Sequence, residues 1–377
     1  MILTKCAACA APLAHDAPRC VRCKIRYCNL TCQHDHWRRG HKQICKKIHR
    51  GGNAEQYHAD NKYKEAVAVA VEKCANDTKG QTCYICTEAL HWKTTEGLVR
   101  GCACRGTAGF VHVSCLAEEA KIFVAEGKEN NLDIKVKNQS WAKWHTCGLC
   151  EQDYHGVVNC ALGWACWKTY VGRPEADLER RFAMTELGLG LKNTGRFEEA
   201  LPVQEAELAL RRRLGGDEHN RLISQGNLAG TYRTLGRLEE ALQLQRDVYS
   251  ENLKINGEDK NKTLIAACNY ASCLLDLQRF EEARSFLRKT VPVARRSLGE
   301  SYVLTLIMRT VYAKALYKDA GATLGDLREA VKTIEEAERS ARRVLGSSHP
   351  LVKFFESYMR DPQAALCARE TPRGTGA

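Results

Sequence analysis

Cysteines in close pairs, interleaved with histidines, are the residues of this chain that could do chemistry. Residues 6–45 read Cys6-x2-Cys9, Cys20-x2-Cys23, Cys28-x3-Cys32 and His41-x3-Cys45; residues 83–150 read Cys83-x2-Cys86, Cys102-x-Cys104, His112-x2-Cys115 and Cys147-x2-Cys150. Thiolate and imidazole donors at this spacing suit tetrahedral Zn2+, and sites filled by four protein donors are structural, with no position left for substrate. Each segment supplies enough donors for two sites, so four Zn2+ per chain are expected. The i, i+4 pairs Cys28/Cys32 and His41/Cys45 could each lie on one face of a short helix. Segments this short bury little apolar core, and a structural zinc can add on the order of 10 kcal/mol of folding energy.

Seventeen of the 20 cysteines fall in the first 166 residues. A secreted disulfide scaffold normally has a signal peptide and no long cysteine-poor half, so metal binding in a reducing compartment is expected. The N-terminus lacks the apolar core of a secretory signal, and no apolar run reaches the ~18 residues of a membrane span. A cytoplasmic or nuclear protein, not secreted and not transmembrane, is the expectation. With 44% apolar and 27% charged residues, composition excludes collagen-like or wholly disordered chains. The formal charge of +12 is concentrated in residues 1–50, where 11 Lys+Arg face 2 Asp+Glu. Ligation removes protons from the thiols and would bring the total to about +6. Nucleic acid is therefore a weak expectation as a partner.

The string YCNLTCQHDHWRRGHKQIC, with Tyr27, Cys28, Cys32, Gln33, Trp37, His41 and Cys45, resembles the MYND zinc finger over residues 6–45. The resemblance implies interleaved ligation, with Cys6, Cys9, Cys28 and Cys32 on one zinc and Cys20, Cys23, His41 and Cys45 on the other. His34 and His36 are alternative imidazoles; the family pattern favours His41. It also implies a protein-binding module that takes proline-rich peptides. Nothing in the sequence supplies the SET methyltransferase domain of some MYND proteins.

The second segment, with Ile85 inside its first pair, the run CACRGTAGFVHVSCL and Tyr154 after its last, resembles the RING-CH (RINGv) finger. That resemblance implies a cross-brace: Cys83, Cys86, His112 and Cys115 on one ion, Cys102, Cys104, Cys147 and Cys150 on the other. RING-CH proteins are commonly ubiquitin ligases that dock a charged conjugating enzyme and position its thioester. Ile85, Leu149 and either Trp141 or Trp144 are the docking residues so implied. Three departures stand against activity: 31 residues separate Cys115 from Cys147, Glu151 follows the last ligand, and the family's frequent membrane helices are missing. The competing expectation is a RING-like fold kept for protein binding, with Ile85 and the tryptophans in its core. Cys74, Cys160 and Cys166 are expected to pack rather than bind metal.

From residue 173 a repeat sets in: GRFEEAL at 195, GRLEEAL at 236, QRFEEAR at 278 and GDLREAV at 325. A period of this length marks stacked helix pairs. Gly188, Ala229, Ala271 and Ala313 share one place in the first helix; Ala200, Ala241, Ala283 and Ala330 share one in the second. The pattern resembles the tetratricopeptide repeat (TPR) of the kinesin-light-chain variety, which implies a concave peptide-binding groove. Asn227 and Asn269 are candidates for bonding a ligand backbone there, or a neighbouring repeat. The paired glutamates of each repeat look like acid–base pairs, but repetition marks them as a solvated face. GLGLKNTG at 188–195 mimics a phosphate loop, yet its glycines fall on packing and turn positions.

The expected fold class is two small zinc-stabilised modules followed by an all-α TPR-type solenoid. The expected divisions are 1–50 MYND finger, 51–81 helical linker, 82–172 RING-CH-like finger with trailing helix, 173–346 about four TPR-like helix pairs, and 347–377 capping helix with disordered tail. An intracellular protein-interaction adaptor is the first functional expectation. A RING-type ubiquitin ligase, recruiting a conjugating enzyme and substrates, is the second.

Overall fold

The computed structural model describes residues 5–14, 16–129, 139–215, 217–345 and 350–370. Two compact units result, Met1–Ser224 and Gln225–Ala377. Among the described residues there are helices and four isolated β-bridges, with no extended sheet.

The first unit opens with paired turns and then α1 (Leu30–His36), a π-turn (Trp37–His41) and α2 (Lys42–Arg50). The Asn29 side chain caps α1 by accepting from the Cys32 amide at 2.8 Å. Gly40 breaks the run at φ 125° with nothing near its missing Cβ, so its backbone conformation is what the kink requires. The kink separates the Cys28/Cys32 pair from the His41/Cys45 pair.

Helix α3 (Ala54–Cys74), capped by Asn53, packs against α5 (Gly156–Tyr170). Every residue of α5 from Val158 to Trp167 is buried. A helix apolar on all sides belongs in the centre of a core. Around it gather Tyr63 and Val67 from α3, Leu116 from α4 (Val113–Glu129), Trp144, and Leu187 and Leu191 from α6 (Leu178–Asn193). Cys74, Cys160 and Cys166 lie in this core, and burial pushes the Cys166 thiol well above its usual range. One apolar cluster therefore runs from Ala59 to Leu210. The helix expected as a linker and the helix expected to trail the finger are its middle. The compact division falls at Ser224, inside α8 (Glu218–Thr234), and not at 172/173.

Two glycines explain why no boundary forms there. A Cβ at Gly163 would stand 2.9 Å from the Glu186 carbonyl oxygen; one at Gly190 would stand 3.0 Å from that of Asn159. Helices α5 and α6 thus cross with their backbones in contact. A Cβ at Gly188 would stand 3.0 Å from the Gln204 side chain of α7 (Phe197–Leu214). The phosphate-loop look-alike is a packing surface. Near it the Glu207 carboxylate, 1% exposed, accepts from Arg211 Nε (2.9 Å), Thr185 Oγ1 (2.7 Å) and Ser224 Oγ (2.7 Å).

The second unit continues the helix pairs: the rest of α8 with α9 (Leu238–Asn256), α10 (Asn261–Asp276) with α11 (Phe280–Leu298), and α12 (Val303–Tyr317) with α13 (Leu324–Leu345). Ala229, Ala241, Ala271, Ala283, Ala313 and Ala330 are all fully buried. The repeated glutamates are exposed and held by arginine: Arg196 bonds Glu199, Arg237 bonds Glu240 and Arg279 bonds Glu282. Each clasp spans the first turn of a second helix, which accounts for the R-x-x-E core of the repeat signature.

The C-terminal expectation needs correction. Helix α14 runs from Pro350 to Glu370 and does not stop near 361. Pro362 lies inside it, but Ala365 and Leu366 pack beside Leu327 and Ala330, and Arg328 pairs with Glu370 at 3.0 Å. Tertiary packing here outweighs the local penalty of proline. Residues 371–377 lie outside the described residues.

Replacing Gly163 with valine should lower stability by about 3 kcal/mol, because the methyls meet backbone that cannot yield. Gly226, inside α8 with open space at its Cβ, is the control: alanine there should raise stability by about 1 kcal/mol. Denaturant unfolding of the two variants checks both.

Candidate metal centres

Four turns of one design carry the Cys-x2-Cys pairs. In each, the amide four residues after the first cysteine donates to that cysteine's carbonyl: Ala10 to Cys6 (2.9 Å), Lys24 to Cys20 (3.0 Å), Thr87 to Cys83 (2.8 Å) and Glu151 to Cys147 (3.0 Å). Those donors sit at φ 60°, 64°, 64° and 55°. The left-handed residue folds the chain back so that both sulfurs face one point. Short bridges close the base at Lys5–Pro12, Arg19–Arg26 and Thr146–Asp153. Backbone amides inside the turns also aim at sulfur, Ile85 N at Cys83 Sγ (3.4 Å) and Leu149 N at Cys147 Sγ (3.5 Å).

The turns bring all 16 sequence-predicted donors together in four groups: Cys6, Cys9, Cys28 and Cys32; Cys20, Cys23, His41 and Cys45; Cys83, Cys86, His112 and Cys115; Cys102, Cys104, Cys147 and Cys150. Within each group the donor atoms lie within 4.8 Å of one another. Sulfur pairs stand at 3.7 Å (Cys9–Cys28, Cys20–Cys45) and 3.8 Å (Cys104–Cys147). A tetrahedron of Zn–S bonds near 2.3 Å has an edge of about 3.8 Å, whereas a disulfide is about 2.05 Å. The donor sets therefore fit zinc.

The two imidazoles use different nitrogens. His41 presents Nε2, 3.4 Å from Cys23 Sγ. His112 presents Nδ1, 3.3 Å from Cys86 Sγ, while its Nε2 faces the Ala89 carbonyl at 3.3 Å, a contact that orients the ring. His36 is a support: it stacks on His41 with centroids 4.8 Å apart and takes the Tyr27 hydroxyl at Nδ1, 3.1 Å away. Burial opposes ionisation at Cys6 and Cys150. Backbone amides around each sulfur overcome it, bringing Cys6 down to about 6 and Cys150 to about 7. Such thiols ionise readily, as ligation demands.

A fifth turn of the same design has no cysteine. The Thr95 amide donates to the His91 carbonyl (2.8 Å), Thr95 has φ 54°, and the His91 amide reaches Glu96 O (3.0 Å). His91 and Thr94 occupy the ligand places, and a 2.9 Å Nδ1–Oγ1 hydrogen bond joins them. The turn carries Trp92, 69% exposed, at its tip. Sequence reading missed it because its signal, H-x2-T, is not a metal pattern.

Among the expected docking residues, Ile85 (40% exposed) and Leu149 (53%) project from the two RING-type turns. Trp144 does not: it is 1% exposed, packed edge-on against Tyr170. Trp141 is half-buried against Phe182, and its Nε1 donates to Glu186 at 3.2 Å. Trp144 thus braces the finger against α5 and Trp141 against α6, and the burial of Trp144 corrects the expectation that it docks a partner. Asn227 is half-buried and Asn269 exposed on α8 and α10. A cavity of about 680 Å3 in the second unit is lined instead by other residues of the first helices together with Phe280 and Tyr358, with Arg233, Lys314 and Lys318 as its cations.

Donor sets, turns and helix pairs together define a protein of several zinc fingers and a helical repeat array. Three families match it in order: the MYND finger over residues 6–45, the RING-variant domain over 83–131 and the tetratricopeptide repeat over 180–250. The RING-variant match stops before Cys147 and Cys150, which the fold nevertheless returns to Cys102 and Cys104. Curated relatives match locally. Ubiquitin carboxyl-terminal hydrolase 17 of Arabidopsis thaliana is 43% identical over 54 residues, 14% of this chain and 7% of that protein. Ubiquitin C-terminal hydrolase 15 of Oryza sativa subsp. japonica is 50% identical over 44 residues, 11% of this chain and 4% of that protein. The chain thus spans only a small fraction of either relative. Among solved structures, the kinesin light chain TPR-like repeats of Podosopora anserina share 19% identity at a TM-score of 0.43, covering 62% of this chain and 98% of that one. BtubC of P. vanneervenii shares 12% at 0.41, covering 70% and 95%.

Native mass spectrometry should find four zinc ions on the intact chain. Replacing Cys147 and Cys150 with serine should leave three. A count of four in that variant would sink the assignment of those residues.

Proposed function

We propose that this chain is a zinc-dependent protein-interaction adaptor in which the 16 grouped donors hold four structural zincs. The observation that carries the reading is an apolar groove on the MYND finger. It has a volume of about 490 Å3 and is lined by Val21, Tyr27, Gln33 and Trp37 beside the ligands Cys20, His41 and Cys45. Val21 is 85% and Trp37 41% exposed, while the ligands under them are buried. Apolar side chains held out on a rigid, metal-pinned surface suit an extended, proline-rich peptide, whose ordering cost is low. The repeats supply a second peptide surface at the cavity that carries Arg233, Lys314 and Lys318, with Asn227 and Asn269 outside its lining. Neither side chain makes a hydrogen bond to a neighbouring repeat among the described residues. No helix among the described residues is long and apolar enough to cross a membrane.

A second reading is favoured by Ile85 and Leu149. Both stand third in a zinc turn, exposed and braced by amide–sulfur contacts, which is how a RING-type ligase would grip a conjugating enzyme. The finger would then position a ubiquitin thioester and supply no covalent chemistry itself. Glu151, exposed at φ 55° beyond the last ligand, puts a negative charge where active ligases often have a basic residue.

Discharge of ubiquitin from a panel of charged conjugating enzymes onto free lysine separates the two. The adaptor reading expects no acceleration by the zinc-loaded chain. Acceleration that Ile85→Ala removes at least tenfold would establish the ligase instead. Trp37→Ala should weaken a proline-rich peptide by tenfold or more in either case, read by fluorescence anisotropy.

A further inference from the structure

The turn Arg19–Arg26 faces two ways. Cys20, Val21 and Arg22 line the apolar groove, while Arg19, Lys24 and Arg26 line a cleft of about 420 Å3 within the same compact unit. The far wall of that cleft comes from the segment after α5 and from α6 and α7, which contribute Arg173, Arg180 and Arg213. Six cations thus converge from distant parts of the sequence.

Only two lining carboxylates oppose them, and each is turned onto its own arginine: Glu55 onto Arg180 at 2.9 Å, Glu175 onto Arg213 at 2.5 Å. Arg173 reaches Asp177 and Glu179 behind the cleft. Arg19 and Lys24 have no carboxylate partner among the described residues. Arg19 and Arg26 also stand directly opposite on an antiparallel bridge, where like charges destabilise. A site that keeps a like-charge pair, with Arg19 and Lys24 free of carboxylate partners among the described residues, suits an anion of charge two. Its volume lies at the lower end of small-ligand pockets and suits one phosphorylated side chain better than a long acidic run. Guanidinium forks match phosphate oxygens two at a time.

We propose that the cleft binds a phosphorylated residue of a peptide whose apolar flank lies in the groove on the other side of the same turn. The proposal rests on the reading of that groove as a peptide site, and the two can fail separately. The cleft then acts as a phosphate-dependent selector among ligands the groove alone would accept.

The test uses the full zinc-loaded chain and three labelled peptides in anisotropy titrations: a proline-rich peptide flanked by phosphoserine, the same peptide with serine, and a phosphoserine peptide without prolines. The first should bind at least tenfold tighter than the second. Arg19→Gln/Lys24→Gln, both on exposed side chains, should erase that difference and leave the serine peptide unchanged. Trp37→Ala should weaken the first two alike and preserve their ratio. Equal affinity of the first two peptides overturns the proposal while the groove stands. Tenfold tighter binding of single-stranded RNA than of any peptide, lost in the double variant, overturns it in favour of a nucleic-acid path. Binding of the third peptide alone, lost in the double variant, supports the cleft and sinks the groove.

Discussion

Thiols gathered within 4.8 Å of one another cannot all ionise unless a cation sits among them, and the turns of both fingers are built around that shared point. At an effective dielectric constant of 20, each thiolate pair at this spacing costs about 4 kcal/mol, and a four-thiolate site contains six such pairs. A divalent ion converts that repulsion into the strongest local attraction in the fold. The turns have no sheet to hold them and little apolar core of their own. Their left-handed residues and amide–sulfur contacts prepare a geometry that the metal completes. The His91–Thr94 turn shows the same backbone held by hydrogen bonds in place of a metal, next to the ligand His112 (centroids 5.4 Å apart). Where the side chains are not thiols, the fold needs no ion.

Much of this was legible because it is local. Ligand pairs two to four residues apart announce their turns, and the R-x-x-E core of the repeats marks the start of each second helix. What the sequence concealed depends on contacts between distant segments. Nothing near Gly163 says that its missing Cβ makes room for the Glu186 carbonyl. Trp144 looked like a free aromatic between two ligand pairs, yet Tyr170 covers it. Pro362 is a local helix breaker, and only the packing of Leu366 beside Leu327 shows why the helix continues. Cys74, Cys160 and Cys166 were readable as core because none has a paired neighbour at ligand spacing.

The proposed interaction surfaces share a mechanical logic. Val21, Ile85 and Leu149 each lie inside a Cys-x2-Cys turn, so each exposed apolar side chain rests on backbone that the metal immobilises. A surface residue so held loses little freedom when a partner covers it, which is where small interfaces find their affinity. The groove, the RING-type face and the basic cleft are all edges of metal-pinned turns. Losing one zinc would therefore disturb one of these proposed surfaces as well as loosen a module.

The crossing of α5 and α6 carries a consequence for how such a chain could have been assembled over time. Fingers and repeats are usually thought of as exchangeable cassettes, joined end to end by recombination. Here Gly163 lies on the finger's side of the seam and Gly190 on the repeats' side, and each is shaped to the other's backbone. A genetic exchange that replaced either partner would set a side chain against a carbonyl. The finger's last helix and the first repeat helix therefore form one packing unit, and an exchange that kept both would leave the seam intact.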